Sequence, residues 1–164
     1  MAKMGNVKFT SLEKFVDKVE TELGEDQVQL FLEACAKELA ARLLAKVIKR
    51  TPVGQYPERV GGTLRRGWTA EKQQDVKSYV ESLTINQVGD KYTIEVVNPV
   101  EYASYVEFGH RQEPGRFVPA IGKRLKKSWV EGKFMLTISS QEVQEAAPAI
   151  LEQKLKRKLG EVFK

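Results

Sequence analysis

Four side chains in this 164-residue sequence are of types that carry chemistry and stand where a site could form: Cys35, Glu101, Glu107 and His110. A thiol beside an imidazole would make a nucleophile and its base, and two facing carboxylates would make an acid–base pair. Their spacing assembles neither. Cys35 and His110 are the sole cysteine and the sole histidine, far apart in the chain and outside any CxxC or HExxH pattern. Cys35 falls on the apolar face of a predicted helix and reads as a small core residue, and one thiol cannot close an internal disulfide. His110 follows Gly109 at the end of a short predicted helix, where an imidazole interacts with the helix dipole. Glu101 and Glu107 lie six residues apart and fall on roughly opposing faces of that helix. No GxSxG, P-loop or Gly-rich dinucleotide fingerprint appears. The expectation is therefore a protein that is not an enzyme and that holds no cofactor and no metal.

The residues suited to contact are more telling than those suited to catalysis. The net charge of +5 is unevenly spread: residues 42–72 hold eight Lys/Arg against two Glu, net +6, and residues 110–134 hold seven against two, net +5. Residues 11–38 hold three lysines against eight acids, net −5. Each basic run also carries a tryptophan. Arg65, Arg66, Trp68, Lys123, Arg124, Lys126, Lys127 and Trp129 are thus the candidate partner or subunit interface, since Arg and Trp are enriched among interface anchors.

These residues must be positioned by a frame that the hydrophobic pattern sketches. A chain of 164 residues, 41% hydrophobic and 30% charged, fits one soluble globular domain. Phe9, Leu12, Phe15, Val16, Val19 and Leu23 predict a short amphipathic helix over residues 9–23. Val28, Phe31, Leu32, Cys35, Leu39, Leu43, Val47 and Ile48 trace one face of a longer helix from Glu25 to Arg50, stopped by Thr51-Pro52. Residues 51–70 are rich in Gly and Pro and read as a loop, of a length that is usually functional or disordered. A sheet is expected from Val76 to Asn98, with Gly89-Asp90 turning a hairpin and further strands recruited from Gly67–Glu71 and Arg116–Ile121. Asn98-Pro99 signals a helix start and Gly109 its end. Residues 122–138 read as an extended or hairpin-like excursion, and Ser139-x-x-Glu142 as a capping box that opens a C-terminal helix, with Pro148 inside it. The fold class expected is α+β: a long N-terminal helix and a C-terminal helix packed on a small, mostly antiparallel β-sheet with long loops. As a division of the chain, this gives one domain over 1–164, helical over 1–50, sheet and short helix over 67–121, excursion over 122–138 and C-terminal helix over 139–163.

The strings YASYVEFG (102–109) and GRFVPA (115–120), together with Thr51-Pro52-Val53 and Gly61-Gly62-Thr63-Leu64-Arg65-Arg66-Gly67-Trp68 upstream, resemble the pattern of tailed-bacteriophage neck and tail-completion proteins, which join head to tail. The likeness covers roughly residues 25–121. It implies a virion structural protein at the head–tail junction, in a neck, tail-completion or tail-terminator role, forming a homo-oligomeric ring with a hexamer favoured. Implied partners are head connector or head-closure proteins on one side and tail tube or terminator proteins on the other, with non-specific contact to passing DNA.

The alternative is a free basic nucleic-acid-binding protein, which a pI near 9.2 and the two basic runs support. Against it, there is no helix-turn-helix pair, RNA-recognition consensus or zinc pattern. No apolar run reaches membrane-span length and the N-terminus lacks a secretory core, so no membrane is expected and assembly is expected in the host cytoplasm.

Overall fold

The computed structural model describes residues 24–55, 60–69, 75–89, 91–119 and 122–162. The helix expected over 9–23 lies outside them.

Two long helices make the body. Helix α1 runs Glu25–Arg50 and a C-terminal helix, α5, runs Met135–Val162. The periodicity of α1 does what it predicts: Val28, Phe31, Leu32, Cys35, Leu39, Leu43 and Val47 are all buried, joined by Leu44 on the same side. From α5, Met135, Leu136, Val143, Ala147 and Leu151 face them. The helices run antiparallel, since Arg50 at the end of α1 reaches Ser139 early in α5, whereas Lys154 late in α5 reaches Glu38 and the Ala34 carbonyl. Burying apolar surface of this kind contributes about 25 cal/mol per Å², and it overrides local preference: α5 continues through Pro148, an interior proline that costs a helix about 3 kcal/mol. The buried neighbours Ala147 and Leu151 hold that turn against α1.

Between these helices the chain makes small pieces. Helix α2 is Thr63–Gly67 and helix α3 is Val76–Glu81. The latter corrects the expected start of the sheet. Asp75 accepts the Ser78 N–H at 3.0 Å and its hydroxyl at 2.6 Å, an N-cap that nucleates a helical turn where strand was expected. The hairpin follows as expected, with β1 (Ile85–Val88) antiparallel to β2 (Lys91–Ile94) and Ile85 opposite Ile94. Tyr92, Ile94 and Val96 pack against the core.

The remaining strands do not extend that hairpin. Residues 63–67 are helical, and β4 (Phe117–Val118) pairs with β5 (Lys123–Arg124) in a separate ladder. A third ladder joins β3 (Gly109–Arg111) to β6 (Trp129–Glu131). The expected single sheet is thus three two-stranded antiparallel ladders among the described residues. Closing a short loop costs less entropy than recruiting a distant strand, so segments 109–118 and 123–131 pair with each other. Helix α4 spans Ala103–Phe108, later than Asn98-Pro99 suggested. Asn98 still turns the chain, accepting the Val100 N–H at 3.2 Å, but its buried amide also binds the Leu64 carbonyl at 2.8 Å.

Candidate functional site

Ladders β3/β6 and β4/β5 are nested, and the Gln112 N–H to Ser128 O and Leu125 N–H to Arg116 O bonds continue the pairing between them. Residues 109–119 and 122–131 are therefore the two sides of one long hairpin arm. None of its described residues is buried. It carries six Lys/Arg against Glu113 and Glu131, net +4. A hollow of about 560 Å³ on it is lined by Gln112, Leu125 and the cations Lys123, Arg124, Lys126 and Lys127. Among the described residues none of these four cations has an ion-pair partner, although Arg124 donates to the Gly115 carbonyl at 2.7 Å.

The arm's root is built with close tolerance. Gly109 has φ of 84°, and a side chain there would strike the Val130 carbonyl and the Gly132 N–H. A Cβ on Gly132 would in turn strike the Glu107 carbonyl and the Phe108 backbone. Glycine at both positions lets the two strands and the end of α4 touch backbone to backbone. Glu107 completes the joint. Its buried carboxylate accepts the Leu136 N–H at 2.9 Å, the Thr137 N–H at 2.9 Å and the Thr137 hydroxyl at 2.8 Å, satisfying donors at the start of α5 that have no intrahelical acceptor. The expected capping box is corrected accordingly: α5 begins at Met135, Ser139 is buried within it, and Glu142 binds Lys46 at 2.7 Å and Arg50 at 2.6 Å.

Around this root lies an aromatic surface. Tyr102, Tyr105 and Phe108 recur every three residues along the outside of α4, Trp129 sits over Gly109, and Phe134 follows the arm. With Phe117 farther out, every exposed aromatic side chain among the described residues falls between 102 and 134. Such rings expose large rigid apolar area at small entropic cost, the composition of interface cores.

The sequence-predicted contact residues divide. Lys123, Arg124, Lys126, Lys127 and the half-exposed Trp129 stand on the arm. Arg66 is exposed and donates to the Gly61 carbonyl. Trp68 is corrected: it is wholly buried, its indole N–H donating to the Thr51 hydroxyl at 2.8 Å. Arg65 turns inward as well, its guanidinium holding the Thr51 carbonyl at 3.0 and 2.6 Å. The two upstream motifs thus meet at Thr51, which also caps α1 through its own hydroxyl on the Val47 carbonyl. They form a structural clasp. What sequence reasoning missed is the stripe Tyr102, Tyr105 and Phe108, whose three-residue spacing was legible within the helix signalled between Asn98 and Gly109.

The chemistry-bearing residues are likewise accounted for. Burial pushes the Cys35 thiol up to about 12, which keeps it protonated. His110 tilts against Tyr105 with ring centroids 5.7 Å apart, and its buried Nδ1 has no hydrogen-bond partner among the described residues. No cluster of three metal-ligating side chains occurs among the described residues, and no described helix is long and apolar enough to cross a membrane.

A protein-family model described as "Bacteriophage HK97-gp10, putative tail-component" matches residues 13–109, more than half of the chain. Neither a curated protein nor a solved structure matches it.

Proposed function

Because the chain belongs to the HK97-gp10-like family of bacteriophage tail components, we propose that it is a virion structural subunit whose copies close into a ring at the head–tail junction, using the 109–131 arm as its main contact element. The observation that carries this reading is that, among the described residues, the exposed aromatic side chains are confined to 102–134, on and around an arm none of whose described residues is buried. A hairpin is marginal in water by itself, so one held out from the body on a fixed root gains most by packing against another subunit. Ring closure needs such heterologous contacts. Head-closure proteins above and tail tube or terminator proteins below are the neighbours this role calls for.

The work done is assembly, so shape and complementary surface carry it. Mass photometry and negative-stain imaging of the purified chain test it, alone and mixed with portal-bearing heads or with tail tubes. Rings that bind either end of the junction are expected. A chain that stays a single copy at all concentrations, or one missing from purified particles whose tails are attached, overturns it.

The unpaired cations of the arm also suit phosphate contact, and in a ring lumen they would meet passing DNA through its backbone, with affinity that falls as salt rises.

A further inference from the structure

One sheet edge in the body is left open. Strand β1 pairs with β2 on one side, and among the described residues no backbone group bonds to its outer edge. The core-packed side chains Tyr92 and Ile94 belong to β2, whereas Asn86, Gln87 and Val88 of β1 are exposed, Val88 by 79%. An open edge is a template for another strand, and charged side chains along it are the usual guard. Lys91 stands on β2, Arg111 on β3, Lys123 and Arg124 on β5, and Glu131 on β6. Strand β1 reads Ile-Asn-Gln-Val, with no charge, and among the described strands only the two-residue β4 shares that lack.

The hairpin's own register fixes which groups the edge offers. Val88 lies opposite Lys91 across a two-residue loop that begins at Gly89, with φ of 57°, and such a loop closes on a hydrogen-bonded pair. Bonded and non-bonded pairs alternate along an antiparallel ladder, so Asn86 and Thr93 bond next. The N–H and C=O groups of Ile85 and Gln87 therefore point away from β2.

A strand that adds here must itself be unpaired on one edge and free of charge over more than two residues, and among the described residues β1 alone meets both conditions. We propose that β1 of a second copy is the occupant, paired antiparallel about a two-fold axis through Asn86 to give the strand order β2-β1-β1-β2. Ile85 of each copy then exchanges N–H···O=C bonds with Gln87 of the other, using the outward groups on both sides. Thr84 meets Val88, and Asn86 meets itself, where an amide is its own complement because it both donates and accepts. Centring the axis on Gln87 instead would bring Gly89 into the ladder, and Gly89 already turns away from the strand. The pairing uses no part of the arm and so goes beyond the ring reading. Its two-fold joins free copies, or copies of two rings stacked face to face, since neighbours within one polar ring have no such axis.

Disulfide trapping in the full-length chain tests this, with circular dichroism confirming that each variant folds. Asn86→Cys sets two thiols on a non-bonded pair with Cα atoms about 4.5 Å apart, within disulfide reach, and a covalent dimer is expected on a non-reducing gel after mild oxidation. Val88→Cys is the control, because the axis leaves its two copies about 13 Å apart along the strands, and it should stay single. Cys35 is wholly buried and does not compete. Asn86→Lys sets like charges opposite each other and should lower the dimer fraction in sedimentation by about fivefold or more. A folded Asn86→Cys chain that is not trapped, or one trapped no better than Val88→Cys, overturns the pairing. So does trapping that disappears when Trp129→Ala is added to weaken the arm contact, since the thiols would then have met through ring neighbours. Rings without trapping overturn this pairing alone, and trapped dimers from a chain that never forms rings overturn the ring reading alone.

Discussion

The body and the arm of this molecule use charge in opposite ways. In the body, charged side chains stitch helices to one another: Lys46 and Arg50 of α1 both grip Glu142 of α5, Lys154 of α5 grips Glu38, and Lys37 grips Glu81 of α3. On the arm, Arg111, Arg116, Lys123, Arg124, Lys126 and Lys127 have no carboxylate partner among the described residues. The same split holds for rings, Trp68 being wholly buried and Trp129 about half exposed at 47%. Paired charges and buried rings finish a fold within one chain. Unpaired charges and exposed rings are left unfinished within one chain, and in the proposed ring they are where another subunit would complete the surface.

The largest effect that checks this division is on the body. Leu39 is fully buried on α1. Leu39→Asp places an unpaired carboxylate there, costing several kcal/mol, about 3–5, a large part of what an ordinary domain has. Loss of the cooperative melt by circular dichroism is expected. A variant that melts like the wild type would show that this face is not the core.

Next comes the joint between the regions. Glu107→Ala removes three bonds and leaves the Leu136 and Thr137 N–H groups without an acceptor, at a cost of about 1–3 kcal/mol. Urea titration measures that loss. Hydrogen exchange should rise at the root, around Val130 and Gly132, as well as in the first turn of α5. Exchange confined to α5 would mean that the arm does not depend on this carboxylate.

A smaller effect concerns the stitching itself. The Lys46 hydrogen bond, assisted by the Arg50 charge, holds the Glu142 carboxyl below its ordinary value of 4.5. A carboxyl depressed by folding stabilises the protein above its unfolded value, and that contribution disappears as the pH falls through the lower folded value. Melting temperature followed downward from neutral pH should fall less steeply in Glu142→Gln than in the wild type. Parallel curves would show that this exposed pair contributes nothing. Glu38 should reinforce the trend: although burial works to raise its carboxyl, hydrogen bonds from Lys154 and Arg42 hold it down.

How much of this the sequence could disclose depends on the range over which each signal acts. The buried face of α1 was legible because a 26-residue helix repeats its pattern many times. So was the β1/β2 hairpin, whose turn lies in the sequence between its strands. The start of α5 was not, because a local window finds Ser139 and Glu142 at capping-box spacing, whereas the actual cap arrives from Glu107, outside any such window. Trp68 was misread for a related reason: a tryptophan in a Gly-rich basic loop looks exposed until the Thr51 hydroxyl, brought back by the end of α1, satisfies its N–H. The arm's basic residues were found by composition alone. That they stand on a single hairpin required the register of β3 with β6, which no periodicity encodes.

The smallest effect on the fold is the one that most sharpens the contrast between the regions. Trp129→Ala removes a ring that lies over Gly109 at the root yet is 47% exposed, and the backbone contacts of Gly109 and Gly132 persist without it. Its unfolding free energy should stay within about 0.5 kcal/mol of the wild type, as surface substitutions do. Assembly is another matter, because an exposed tryptophan amid Tyr105, Phe108 and Phe134 is the kind of anchor whose loss costs an interface 1–2 kcal/mol or more, about tenfold in the midpoint concentration. Mass photometry across a dilution series separates the two. Rings that form at the wild-type concentration would mean the aromatic surface is idle and would leave the contact to the arm's charges alone. A variant that melts early would mean the ring belongs to the body, and the boundary between finished and unfinished surface would have to be moved outward along the arm.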